Sequence, residues 1–269
     1  MIASVQDRIP DLLPLMQVPK ERAYATQLYR HYRAVFQQIE QATRQNLPLT
    51  LSDPHVSDLS ARTQSMMLDL EWMFERLMQE YANAPDAFSA AEQGPLGEMT
   101  GFFRKIYRKV AREELRQLAL SPKSRVCQVG AGPMPLSLAQ YHRVTGAEIA
   151  GIDIAPTAVA QAQTFFARLG ISGADVQLAD GSVFDYAPYD VVLIAATAAP
   201  KEAILSRILA TNSNPDLCIV NRDTGGWNAL IYRPNPLPAT DAITPDWAVT
   251  AQPITSTGYH RSGAGGLHA

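Results

Sequence analysis

The sequence predicts an α/β chain: an all-helical N-terminal domain followed by a parallel sheet with helices on both faces. Three observations predict it. Residues 1–118 carry apolar side chains at helical spacing, whereas from Lys123 onward short apolar runs alternate with helical stretches. The run Val126–Val129 ends in Gly130-Ala131-Gly132-Pro133-Met134-Pro135, a glycine turn that opens a helix. A second apolar run ends at Asp153, 21 residues after Gly132, the spacing at which doubly wound sheets present a carboxylate to a ribose. The expected division is a helical domain over 1–118 and a Rossmann-like domain over 119–269.

In the first half, Tyr24, Leu28, Tyr32, Val35, Phe36 and Ile39 predict a helix over 19–46. Leu47-Pro48 and Asp53-Pro54 end it. Leu59, Met66, Met67, Leu70, Met73, Phe74 and Leu77 predict a second helix over 56–83, and a third follows Gly94-Pro95 over 96–120. The methionine and aromatic stripes read as core packing. In the second half, strands are expected at Val126–Val129, Ile149–Ile152, Val176–Leu178, Val191–Ala195, Leu217–Val220 and Leu230–Tyr232. Helices are expected at 135–144, 157–169 and 200–211. Strands that are continuously apolar and separated by helices belong to a sheet buried on both faces. The Gly- and Ser-rich tail from Ser256 to Ala269 reads as loose at its end.

Composition bounds the function. With 46% apolar and 18% charged residues and a net charge of −3, the chain has no basic excess to suit a nucleic acid. It has neither an apolar run of spanning length nor a signal-like N-terminus, so no membrane is expected and the cytoplasm is the expected compartment. Cys127 and Cys218 lie in apolar runs and form no metal knuckle. The five histidines lack ligand spacing, so no enzyme-bound metal is expected.

Ligands of such a sheet lie beyond the carboxyl ends of the strands, beside strand one. Gly130–Pro135, Asp153-Ile154, Asp180-Gly181 and Ala195–Thr197 all fall at expected carboxyl ends. The turn also departs from G-x-G-x-x-G, because Pro135 stands at the third glycine. Prolines at 133 and 135 leave few N–H donors for a phosphate. A ligand with ribose and adenine but no phosphate fits better, and S-adenosylmethionine is the foremost one. The plainer alternative is a tight turn beside an ordinary surface carboxylate.

Together these residues resemble the nicotianamine synthase family, including its bacterial members that build opine metallophores of the staphylopine and pseudopaline type. Four stretches carry the likeness: the G-x-G-P-x-P turn in Val129–Ser137; Asp190–Ala196; Val220–Tyr232, with Arg222 and Gly225-Gly226; and Leu70–Glu75 with Phe103–Tyr107. The resemblance implies transfer of the 3-amino-3-carboxypropyl arm of S-adenosylmethionine to the amine of a free amino acid, foremost histidine, with release of 5′-methylthioadenosine. It also implies a downstream opine dehydrogenase as a partner, and the helical half leaves room for a homodimer.

On that reading Gly130, Ala131, Gly132 and Pro133 approach the nucleoside, and Asp153 takes the ribose hydroxyls with Ile154 beside it. Asp180 and Gly181 reach the adenine, and Ala195, Ala196 and Thr197 floor the sulfonium, with Thr197 facing the substrate. Glu71 and Glu75, four apart on one helix face, are candidate bases together with Tyr107. A solvated acidic pair is the plainer alternative. Arg222 suits a substrate carboxylate, or else a structural pair with Asp223. Two rival readings are a conventional small-molecule N-methyltransferase and a non-enzymatic module that senses S-adenosylmethionine.

Overall fold

The computed structural model describes residues 22–45, 57–58, 60–71, 95–251 and 253–262. Its seven strands form one sheet in the order β3-β2-β1-β4-β5-β7-β6. The strands are β1 (Arg125–Val129), β2 (Glu148–Asp153), β3 (Asp175–Leu178), β4 (Val191–Ile194), β5 (Cys218–Asp223), β6 (Ile243–Ala251) and β7 (Ile254–Arg261). The first five pair in parallel, and β7 and β6 close the edge antiparallel. The helices α4 (Leu136–Thr145), α5 (Pro156–Arg168) and α6 (Lys201–Thr211) connect the parallel strands within two residues of their expected bounds.

Strand side chains alternate between the two faces, and both faces are covered. Val126, Val191, Leu193 and Val220 join Leu138, Tyr141, Ala162 and Phe166 of α4 and α5. Cys127, Val129, Val192, Ile194 and Ile219 join Ile204, Leu205 and Ile208 of α6. Both cysteines are free and buried, and burial pushes both thiols up. Two-sided burial is why the apolar runs lacked polar alternation.

Two expectations are corrected. Leu230–Tyr232 is not a strand: Gly226–Leu230 is a short 3-10 helix followed by a turn. Trp227, Ala229, Leu230 and Ile231 are all buried, and a short run buried on every side has no periodicity to separate strand from helix. Conversely, β6 and β7 were missed, so the sheet is mixed rather than parallel. Their threonines and serines, Pro245 and Gly258 read as loop, and β6 is exposed along most of its length. The Ser-rich tail begins as an inner strand, with Ser256 buried and paired to Arg222; residues 263–269 lie outside the described ones.

The chain divides into two compact units, Met1–Lys105 with Thr224–Pro234, and Ile106–Asp223 with Asn235–Ala269. The first contains α1 (Arg22–Arg44), α2 (60–71) and the start of α3 (Pro95–Leu115). The side chains expected in its core are buried wherever they are described: Leu28, Tyr32, Val35, Phe36 and Ile39 on α1, and Met66, Met67 and Leu70 on α2. Tyr32 stacks on Phe103, and Phe36 meets Phe102 edge-on.

Candidate active site

The parallel strands end level with one another. Val129 pairs with Ile152 on one side and with Ile194 on the other, so Gly130, Asp153 and Ala195 follow the same rung at the place where strand order reverses. Gly130 and Gly132 have φ of 71° and 66°, a left-handed conformation that side chains with a Cβ disfavour. A Cβ on Gly130 would also stand 3.2 Å from that of Ala195. The N–H groups of Gly130 and Ala131 both donate to the Ile152 carbonyl, at 2.9 and 3.0 Å.

Asp153 joins two loops. Its Oδ2 accepts the Gly132 N–H at 2.9 Å, and its Oδ1 accepts the Ala155 N–H at 2.9 Å. A carboxylate oxygen can accept twice, so each retains capacity for a hydroxyl donor. Ile154, the next residue, is 73% exposed, and Val183 beyond Asp180 is similarly open.

The start of α4 is poor in donors. Pro135 is its N-cap with no side-chain cap, and the Leu136 N–H is turned to the Met134 carbonyl at 2.7 Å. A phosphate normally relies on several free N–H groups at such a terminus, and here one is missing and another is engaged.

Asp180 lies exposed beyond β3. Its Oδ1 accepts both the N–H and the hydroxyl of Ser182 at 2.8 Å, and these bonds hold its pKa below the usual carboxylate value. Gly181 is buried, with its carbonyl accepting the Tyr186 hydroxyl at 2.8 Å. Beyond β4, Ala195 and Ala196 are half-buried and Thr197 is exposed. Asn235 braces this loop by donating to the Ala196 and Ala198 carbonyls at 3.1 and 2.9 Å, while its own N–H donates to Asp223 Oδ1.

In the helical unit, Glu71 ends the described part of α2 and Glu75 lies outside the described residues. Glu71 is half-buried, and the Tyr232 hydroxyl donates to its Oε1. Burial of the carboxyl raises its pKa to about 7, against the lowering pull of the Tyr232 bond. A carboxyl so placed changes protonation near neutrality, as a general base requires. Tyr107, the other expected participant, belongs to the sheet unit, where it is half-buried within electrostatic reach of Arg222.

Arg222 pairs with Glu114 rather than with Asp223. Its Nε and Nη2 grip Glu114 of α3 bidentately at 2.8 and 2.7 Å, and Nη2 also donates to Ser137 Oγ at 2.8 Å. Tyr141 and Ser256 hydroxyls donate to the same carboxylate at 2.5 and 2.6 Å. Glu114 is 0% and Arg222 6% exposed, so the guanidinium expected to meet a substrate carboxylate is engaged here in a buried ion pair. Burial opposes the Arg222 charge, yet the Glu114 carboxylate holds its pKa above the ordinary arginine value. Through Ser137 the pair anchors the first turn of α4, directly after the glycine turn.

Lys201 is buried at the start of α6 and donates from Nζ to the Arg222 carbonyl at 2.7 Å. Desolvation lowers its pKa to about 8, against the pull of Asp223. Sequence reading missed Glu114, Lys201, Asn235 and Tyr232. Glu113-Glu114 looks like an ordinary charged helix edge, and one sequence signal was available: Glu114 sits seven residues after Tyr107, on the same helical face. Among the described residues no three His, Cys, Asp or Glu side chains converge on a metal position, and no helix is long and apolar enough to cross a membrane.

A family model described as nicotianamine synthase protein matches residues 34–241. No curated protein sequence matches. The chain is similar to the solved structure of MtNAS in complex with MTA and tNA, with 18% identity, 97% of this chain and 96% of that chain covered, and a TM-score of 0.74. It is also similar to a glutamate-to-glutamine variant of MtNAS in complex with S-adenosylmethionine, with 18% identity, the same coverage and a TM-score of 0.67.

Proposed function

We propose, from the premise that this chain belongs to the nicotianamine synthase family, that it transfers the 3-amino-3-carboxypropyl arm of S-adenosylmethionine to the amine of a free amino acid. Histidine is the first candidate acceptor, and the product is an opine-metallophore precursor that a dehydrogenase would consume. The solved relatives bind MTA with tNA, or S-adenosylmethionine. The observation that carries the reading here is the strand-end geometry. Gly130, Asp153 and Ala195 share one rung at the crevice, beside a helix start that suits a nucleoside without phosphates.

In this reading Asp153 accepts the two ribose hydroxyls with the lone pairs its loop bonds leave over. Asp180 accepts the adenine amino group through Oδ2, which takes no hydrogen bond among the described residues. The Gly130–Pro133 backbone lies against the ribose and the amino-acid arm, Ile154 packs on the adenine, and Ala195, Ala196 and Thr197 lie under the sulfonium. Arg222 acts from behind, by holding Ser137 and Glu114.

The sulfonium activates all three of its carbons, so geometry selects the one attacked. The acceptor nitrogen's lone pair forms a bond to Cγ of the arm. The Cγ–S bond breaks with its electron pair going to sulfur, which leaves neutral methylthioadenosine. Holding nitrogen and carbon about 3–3.5 Å apart and in line lowers the barrier by as much as 7–11 kcal/mol, roughly, in ideal cases. The amine first gives up a proton, and Glu71 is the base, with Glu75 and Tyr107 as further participants in that transfer.

The test is incubation with S-adenosylmethionine and a panel of amino acids, including both histidine enantiomers, followed by mass spectrometry. An aminocarboxypropyl adduct formed together with methylthioadenosine is the expected result. S-adenosylhomocysteine with a methylated acceptor would replace this reading with methyl transfer. Binding without turnover would replace it with a sensor.

A further inference from the structure

We infer that Tyr232 is a positioning residue for Glu71, fixing one carboxylate oxygen so that the other is presented to the acceptor amine. This rests on the proposed role of Glu71 as base. Both residues lie in the helical unit.

Hydrogen-bonding side chains of α2 converge on one short segment. Ser60 Oγ donates to the Ala229 carbonyl at 3.2 Å, and Gln64 Nε2 donates to the same carbonyl at 2.8 Å. Glu71 Oε1 accepts from Tyr232, three residues further along that segment. Residues 60, 64 and 71 are separated by four and seven positions, so they fall on one helical stripe. The backbone of the segment is held as well, since Ile231 and Tyr232 donate to the Asn228 carbonyl at 2.9 and 3.2 Å. The Tyr232 hydroxyl is therefore presented by a pinned 3-10 turn to a carboxyl on a pinned helix face, the preorganisation that a positioned base needs.

The opposite oxygen, Oε2, takes no hydrogen bond among the described residues. Among the described residues, the titratable groups that face Glu71 are Tyr232, from the 224–234 segment, and Tyr32, from α1. Tyr32 has Arg33, Tyr29 and Glu40 around it in turn. Its hydroxyl is buried with no hydrogen-bond partner among the described residues, so among them it is Tyr232 that donates to Glu71. An ammonium arriving at Oε2 meets a carboxyl held at one oxygen, and after the proton moves Tyr232 stays bonded to that oxygen. Because Tyr232 donates to the ionised form, its loss favours the protonated carboxyl.

The experiment compares wild type, Glu71→Gln, Tyr232→Phe and a chain carrying 3-fluorotyrosine at 232, which keeps the hydroxyl and strengthens it as a donor. Glu71 is titrated directly by carboxyl-¹³C NMR in glutamate-labelled protein, its signal assigned as the one absent from Glu71→Gln. The acid limb of kcat/KM for methylthioadenosine release is measured in parallel. Tyr232→Phe should raise the Glu71 midpoint by about one pH unit, the scale of a hydrogen bond to a charged group. Its kcat/KM should fall about tenfold below the wild-type limb and recover above it. Fluorotyrosine should move the midpoint the opposite way, which decides the matter if Tyr232→Phe does not fold. Unchanged midpoints in both would overturn the inference. Full activity in Glu71→Gln would instead remove Glu71 as base, and the NMR midpoints would still report whether Tyr232 controls that carboxyl.

Discussion

Glu114→Gln tests the buried network most directly. The substitution leaves the shape of the side chain almost unchanged but removes the charge opposite Arg222, which is 6% exposed and has Ser137 as its other side-chain partner. Four hydrogen bonds end on the carboxylate, from Arg222 Nε, Arg222 Nη2, Tyr141 and Ser256. An amide has one acceptor oxygen, so at least one of these donors turns to an N–H and loses its bond. Breaking one side of a buried ion pair costs about 3–5 kcal/mol, because the remaining charge has no compensation. In a unit of this size that lowers the melting temperature by roughly 10 °C. Urea denaturation followed by circular dichroism measures it. The companion is Glu114→Met with Arg222→Met, which removes both charges and should recover much of the loss, since apolar replacement of a whole buried pair is often close to neutral. If Glu114→Gln falls within about 1 kcal/mol of wild type, the range of an exposed pair, the network is not holding the glycine turn. An uncoupled double mutant, with the two single effects simply adding, would carry the same message.

Glu71→Gln should lower turnover by 10²–10⁴-fold, roughly, if a general base is lost, and it should also stabilise the fold at alkaline pH. A carboxyl whose folded pKa is raised favours folding fully below its unfolded value, and that contribution is lost as pH rises through the folded value. The window here runs from 4.5 to about 7. At about 1.36 kcal/mol per pKa unit, the ionised form costs about 3 kcal/mol above it. Denaturant midpoints of wild type and variant should therefore diverge from pH 5 to pH 8, and a pH-independent difference contradicts the assignment. Gly151→Ala places a Cβ 2.8 Å from that of Ala131 in the glycine loop. The loop must move, at a cost of about 1–3 kcal/mol, and calorimetry should show S-adenosylmethionine binding at least about tenfold weaker; binding within twofold of wild type refutes this. Asp153→Ala should weaken S-adenosylmethionine and methylthioadenosine together by about 1.5–3 kcal/mol, since both carry the ribose. An effect on only one of them would place the ribose elsewhere.

The parallel part of the fold was legible in the sequence because two-sided burial writes itself as apolar runs without polar alternation, here Val191–Ile194 and, interrupted only by Gln128, Val126–Val129. The glycine turn was legible for a similar reason, since positive φ at Gly130 and Gly132 selects the residue type directly. β6 and β7 left no such trace. An edge ribbon with one solvated side uses threonine, serine and proline, as a loop does, and only the pairing of β7 with β5 turns those residues into a strand. Local composition likewise misread Leu230–Tyr232, where burial on every side removes the period that separates strand from helix.

The site divides along the same line. Residue type and spacing alone determined the strand-end positions 130–133, 153, 180 and 195, because one-dimensional order places successive strand ends side by side in a doubly wound sheet. What only the tertiary structure decided is which charged groups are free to act. Arg222 and Glu114 stand 108 residues apart in the chain yet neutralise each other in the core, and Tyr232 reaches Glu71 across 161 residues. Protonation and availability depend on desolvation and on partners brought in from distant sequence, and neither is encoded in the neighbours along the chain.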